Sequence, residues 1–122
     1  MFSIRYIDGR LVVRGCTPHY RRPLPEIVEF RRQMADQLLQ QGVPLPIKRR
    51  IGVTLIATRH SDGGDLANLL QGLVQALDGH TLGKESAILA DDGQINRLVA
   101  EWRTGSKTQE RLVKKVDELE AK

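Results

Sequence analysis

Phe2, Ile4 and Tyr6 alternate with Ser3, Arg5 and Ile7, Asp8-Gly9 follows, and Leu11-Val12-Val13 resumes the apolar pattern. Two β-prone runs around Asp-Gly predict a hairpin, because both central turn positions need positive φ. Gly15, Pro18, Pro23 and Pro25 make residues 15–25 irregular chain. A helix is expected over 25–41. Pro25 and Glu26 suit its first turn, Ile27, Phe30, Met34 and Leu38 recur at spacings of three and four, and Gly42 and Pro44 stop it. Ile47, Ile51, Val53, Leu55 and Ala57 share one parity while Lys48, Arg50, Thr54 and Thr58 share the other, which predicts a strand over 47–58. Asp65 then stands at an N-cap position before Leu66, Leu69, Leu70, Leu73 and Leu77. That stripe predicts a helix over 65–78, ended by Asp78-Gly79 with the glycine in the left-handed conformation. After a polar loop over 79–93, Leu98, Ala100 and Trp102 fall on one side of a strand over 94–102. In the tail, Leu112, Val116 and Leu119 have helical spacing. The expected fold is α/β (α+β), a single domain over 1–122 with a mixed sheet of about four strands, one face covered by helices 25–41 and 65–78.

Composition narrows the chemistry. The 122 residues are 40% hydrophobic and 28% charged, ordinary for a globular protein and unlike a disordered or disulfide-rich chain. Cys16 is the single cysteine, which excludes an internal disulfide and a cysteine-based zinc site. His19, His60 and His80 have no paired spacing, and no Gly-rich nucleotide loop is present. The apolar runs are far shorter than the ~20 residues of a membrane span, and no signal-peptide pattern opens the chain, so the expected location is the cytoplasm without membrane contact. The net charge of +4 is unevenly spread: residues 1–59 hold 11 Lys/Arg against 4 Asp/Glu, and residues 60–122 hold 8 against 11. A basic half suits a polyanion, and an acidic half offers the carboxylates that a hard cation takes.

The segment over 62–79 reads D-G-G-D-L-A-N-L-L-Q-G-L-V-Q-A-L-D-G, and D-D-G-Q-I follows over 91–95. Asp65 and Asn68 stand three apart at a helix start, where both side chains project from one end. Alone, Asp65 reads as a plain N-cap and the D-D-G run as a turn. Together, and in this order, the two halves resemble the RusA family of Holliday junction resolvases. That family shows a strand, then D-x-D-N-L-x-K opening a helix, an A-L-x-G-like helix end, and D-D-x-Q-[IV] opening a strand. The matching residues are Asp65, Asn68 and Leu69, then Ala76, Leu77 and Gly79, then Asp91, Asp92, Gln94 and Ile95, within a resemblance covering roughly residues 25–100. The family's second aspartate falls on Ala67 and its lysine on Gln71.

The resemblance implies a Mg²⁺-dependent endodeoxyribonuclease (Mn²⁺ as an alternative) that resolves four-way DNA junctions as a homodimer. Its metal ligands would be Asp65, Asp92 and Asp91, with Asp62 available to replace the missing carboxylate and Asn68 orienting a ligand or metal-bound water. Arg21, Arg22, Lys48, Arg49, Arg50 and Arg59 would bind the DNA, with Arg59 or Lys84 also available to replace the missing cation. The alternative implied by Ala67 and Gln71 is a RusA-like protein that binds branched DNA without cutting it. A third reading, a small dimeric structural protein, gives the acidic cluster only a capping role.

Overall fold

Asp8 and Gly9 both take positive φ, 52° and 74°, as the hairpin turn requires. They join β1 (Phe2–Ile7) to β2 (Arg10–Gly15), paired antiparallel from Ile7↔Arg10 to Phe2↔Gly15. The structure is a computed structural model that describes residues 2–15, 17–18, 21–58, 66–79, 87–102 and the backbone of 111–114. From β2 the chain runs through α1 (Leu24–Gln40) to β3 (Ile51–Ala57), then through α2 (Leu66–Leu77) to β4 (Ile95–Trp102), and ends in β5 (Arg111–Lys114). The sheet order is β1-β2-β3-β4-β5. β2, β3 and β4 are parallel, as two helical crossovers demand, and β5 returns antiparallel to β4.

The inward-facing residues Ile4, Leu11, Val13, Val53, Leu55, Leu98, Ala100 and Trp102 form one core with Ile27, Met34, Leu38, Leu66, Leu70, Leu73 and Leu77 from the helices. Both helices therefore cover one face of the sheet. α1 also shields the edge strand. Gln37 Oε1 accepts from the Ile4 amide at 2.9 Å, and its Nε2 donates to the Phe2 carbonyl. Gln41 Nε2 donates to the Ile4 carbonyl at 2.7 Å. These bonds occupy backbone groups that an edge strand otherwise offers to another chain. Among the described residues, no helix is long and apolar enough to cross a membrane.

Three expectations change. The sheet has five strands because residues 111–114, expected as helix, pair with the free edge of β4 (Leu98↔Lys114 to Glu101↔Arg111). Edge hydrogen bonding overrides a helical spacing carried by three residues; Val116 and Leu119 lie outside the described residues. The strand expected from 47 begins at Ile51, since Ile47 instead forms an isolated bridge to Leu89. Gly79 is not in the left-handed region. A Cβ there would sit 2.7 Å from the Leu89 carbonyl oxygen and 2.8 Å from the Ala87 Cβ, so close approach is what requires the glycine.

Candidate metal centre

Short-range bonds between distant residues build the site. The Leu89 amide donates to the Leu77 carbonyl at 3.0 Å, the Gly79 amide to the Leu89 carbonyl at 2.9 Å, and the Ile47 amide to the Ile88 carbonyl at 2.8 Å. Residues 87–90 are thus stitched between the end of α2 and the approach to β3. Asp91, two residues beyond Leu89, arrives beside Asp78, the residue that follows α2.

The D-D-G-Q run forms a reciprocal cap on the 3₁₀ turn Asp92–Gln94. Asp91 Oδ1 accepts from the Gly93 amide at 2.9 Å, and the Asp91 amide donates to Gln94 Oε1 at 3.0 Å. Gln94 Nε2 then donates to the carbonyls of Ile47 at 2.7 Å and Arg49 at 2.9 Å. One side chain therefore holds the exposed Lys48, Arg49 and Arg50 against the turn that carries Asp91 and Asp92.

Asp78, Asp91 and Asp92 each offer one carboxylate oxygen, and these oxygens lie within 4.8 Å of one another. Oxygens that share one hard cation at ~2.0–2.6 Å each stand no more than about 4–5 Å apart. Asp78 is buried, while Asp91 and Asp92 face solvent. Three carboxylates with one open side suit a hard divalent cation bound together with water or phosphate oxygens, so this cluster can hold a metal ion.

A buried arginine supports it. Arg31, 2% exposed, donates through Nε to the Ala76 carbonyl at 2.7 Å and through its second terminal nitrogen to the Asp78 carbonyl. It thereby satisfies carbonyls at the C-terminal end of α2, the negative end of the helix dipole. Burial pulls the guanidinium below its ordinary pKa, and the nearby Asp78 carboxylate acts in the opposite direction.

Of the residues expected at the site, Asp91 and Asp92 are present. Asp65, with Asp62, Arg59 and Lys84, lies outside the described residues. Asn68 stands in the first turn of α2, ten residues before Asp78, or about 15 Å at 1.5 Å per residue. Within one chain Asn68 is therefore separated from Asp91 and Asp92 by the length of α2, and the expected meeting of Asp65 with Asp91 or Asp92 falls outside the described residues. Arg21 and Arg22 precede α1, beside the C-terminal end of β2, and Arg22 pairs with Glu26 at 2.8 Å. Lys48, Arg49 and Arg50 instead precede β3, at the N-terminal ends of the parallel strands, so the expected basic set is divided between the two ends of those strands.

Asp78 and Arg31 are additions to that set. Asp78 reads in sequence as a helix stop. Arg31 carried a signal: it falls between Ile27 and Met34 on the apolar stripe of α1, where a charged residue must find a buried partner. Comparisons of this chain with protein-family models, curated proteins and solved structures find no match, so the resemblance to the RusA family rests on its sequence motif.

Proposed function

We propose that this chain is a RusA-like endodeoxyribonuclease that cuts branched DNA with a divalent cation, Mg²⁺ or Mn²⁺, and works as a homodimer in the cytoplasm. The observation that carries this reading is the cluster of Asp78, Asp91 and Asp92 beside the basic segment at Lys48, Arg49 and Arg50. A bound Mg²⁺ supplies an acidified water and neutralises phosphate charge. Asp91 and Asp92 would hold it from the open side, and Asp78 would anchor it from below. Lys48, Arg49 and Arg50 would bind backbone phosphates, which position DNA without reading its sequence. Gln94 sets the spacing between these two groups.

In a homodimer, two-fold symmetry makes two sites, and a site that also used the start of α2 would take it from the other chain, because Leu66 is about 18 Å from Asp78 along the helix. Symmetric sites suit a four-way junction.

The test is nicking of a synthetic four-way junction, with linear duplex as the control, in Mg²⁺, Mn²⁺ and EDTA. The expected result is metal-dependent nicking of the junction, lost in Asp92→Asn. Junction binding in EDTA with no cleavage in either metal would establish the second reading, a protein that holds branched DNA uncut. Ala67 and Gln71 favour that reading, because both are exposed on α2 at positions where the family carries a carboxylate and a lysine. Ala67→Asp with Gln71→Lys should then raise cleavage.

A further inference from the structure

The face of the sheet opposite the helices is lined by arginines. Strand register places its side chains in three rows: Ile7, Arg10, Gly52 and Arg97; Arg5, Val12, Thr54 and Val99; Ser3, Arg14, Ile56 and Glu101. Arg5, Arg10, Arg14 and Arg97 are exposed. Among the described residues none of the four has an ion-pair partner. Two exposed arginines elsewhere differ: Arg22, just ahead of α1, is paired with Glu26, and Arg32, within α1, with Glu29 and Asp36.

The centre of the face is hollow. Gly52 stands between Arg10 and Arg97 with no side chain of its own, and a Cβ there would lie 3.2 Å from Arg10 Cγ. The missing side chain lets the Arg10 stem lie over the strand. The backbones of Arg10 and Arg97 are two strand spacings apart, about 10 Å, a gap two guanidinium groups can close around one tetrahedral anion. The resulting depression, about 280 Å³, is floored by Gly52 and Thr54 and walled by Arg10, Arg97, Val99 and Glu101. Its single acid, Glu101, is in the far row.

We propose that this helix-free face binds the phosphodiester backbone of duplex DNA, with Arg10 and Arg97 gripping one phosphate above Gly52 and with Arg5 and Arg14 contacting its neighbours. A second copy of the chain does not fit, since a two-fold interface would set arginine face against arginine face. Guanidinium groups match phosphate oxygens in geometry as well as charge. The surface needs no metal and stands whether or not the carboxylate edge cuts DNA.

The experiment is fluorescence anisotropy of a labelled linear duplex in EDTA over a range of salt. Arg10→Gln with Arg97→Gln is expected to weaken binding roughly tenfold and to lower the log–log salt slope by about 0.9, the loss of one neutralised phosphate. Gly52→Val keeps every charge but fills the hollow, and it should also weaken binding, with circular dichroism confirming that both variants fold. Unchanged affinity in the arginine variant overturns the proposal, as does a wild-type chain that binds no duplex. Unchanged affinity in Gly52→Val overturns the phosphate cradle. Displacement of DNA by polyglutamate at equal charge overturns the assignment to phosphate. Replacing Lys48, Arg49 and Arg50 with alanine reports on the other edge, and junction nicking in Mg²⁺ is read separately, so each surface fails on its own result.

Discussion

Arg31→Met is the substitution whose cost the structure defines best. It leaves the carbonyls of Ala76 and Asp78 without their donor, both in residues that are nearly inaccessible to solvent. An unsatisfied buried acceptor costs about 1–3 kcal/mol. Two such acceptors are lost, and the positive charge near the Asp78 carboxylate goes with them. These losses overlap, so the expected destabilisation is about 4 kcal/mol, a large part of a domain's usual 5–15 kcal/mol. For a chain of this length that corresponds to a fall in Tm of about 15 °C. Asp78→Asn removes the carboxylate and keeps the carbonyl, so it separates the two contributions. In a double-mutant cycle measured by urea unfolding in EDTA, the two substitutions should couple by about 1–3 kcal/mol, with Asp78→Asn costing less once Arg31 is gone. Additivity within about 0.5 kcal/mol would show that the carboxylate and the guanidinium do not sense each other. A loss below about 1 kcal/mol for Arg31→Met would refute the role of Arg31 at the end of α2.

Other substitutions test the remaining parts. Gln94→Ala removes three hydrogen bonds, two of them to the carbonyls of Ile47 and Arg49, and should cost about 2 kcal/mol in urea unfolding; Gln94→Glu, which keeps the acceptor to Asp91 but sets a carboxylate oxygen against those two carbonyls, should cost at least as much. Asp91→Asn with Asp92→Asn should abolish any rise in Tm on adding Mn²⁺, and an equal rise in the variant would remove the cluster as the binding site. Gln37→Ala with Gln41→Ala uncovers the backbone of β1 and should increase self-association, read by light scattering. Glu29 is held below the usual carboxylate range by its bonds to Arg32 and Gln33. Its contribution to stability is therefore present at neutral pH and lost as pH falls from about 4.3 through its lower folded value, and Glu29→Gln should flatten the acid limb of the stability curve.

The legible features were those written in a few consecutive residues. Asp8-Gly9 specifies its turn through φ alone. The stripes of α1 and α2 and the alternation in β3 specify which face each element buries. The pairing of Asp91 with Gly93 and Gln94 is equally local. The carboxylate pair at 91 and 92 was legible as chemistry, because that residue type at a strand start has few apolar roles.

What only the tertiary structure decided depends on residues far apart in the chain. Asp78 joins Asp91 and Asp92 because Leu89 bonds to the end of α2, and Gly79 leaves room for that approach. Arg31 reaches the same end from another helix, 45 and 47 positions away from the carbonyls it meets. Gln94 reaches back to Ile47 and Arg49, the segment that leads into β3, and no local propensity encodes that reach. The tail became a strand because β4 had an open edge. The order of the sheet set the arginines of β1, β2 and β4 around Gly52, although in sequence they are scattered among apolar residues. Periodicity reports which side of an element is buried; which elements become neighbours is settled by the packing of all of them at once.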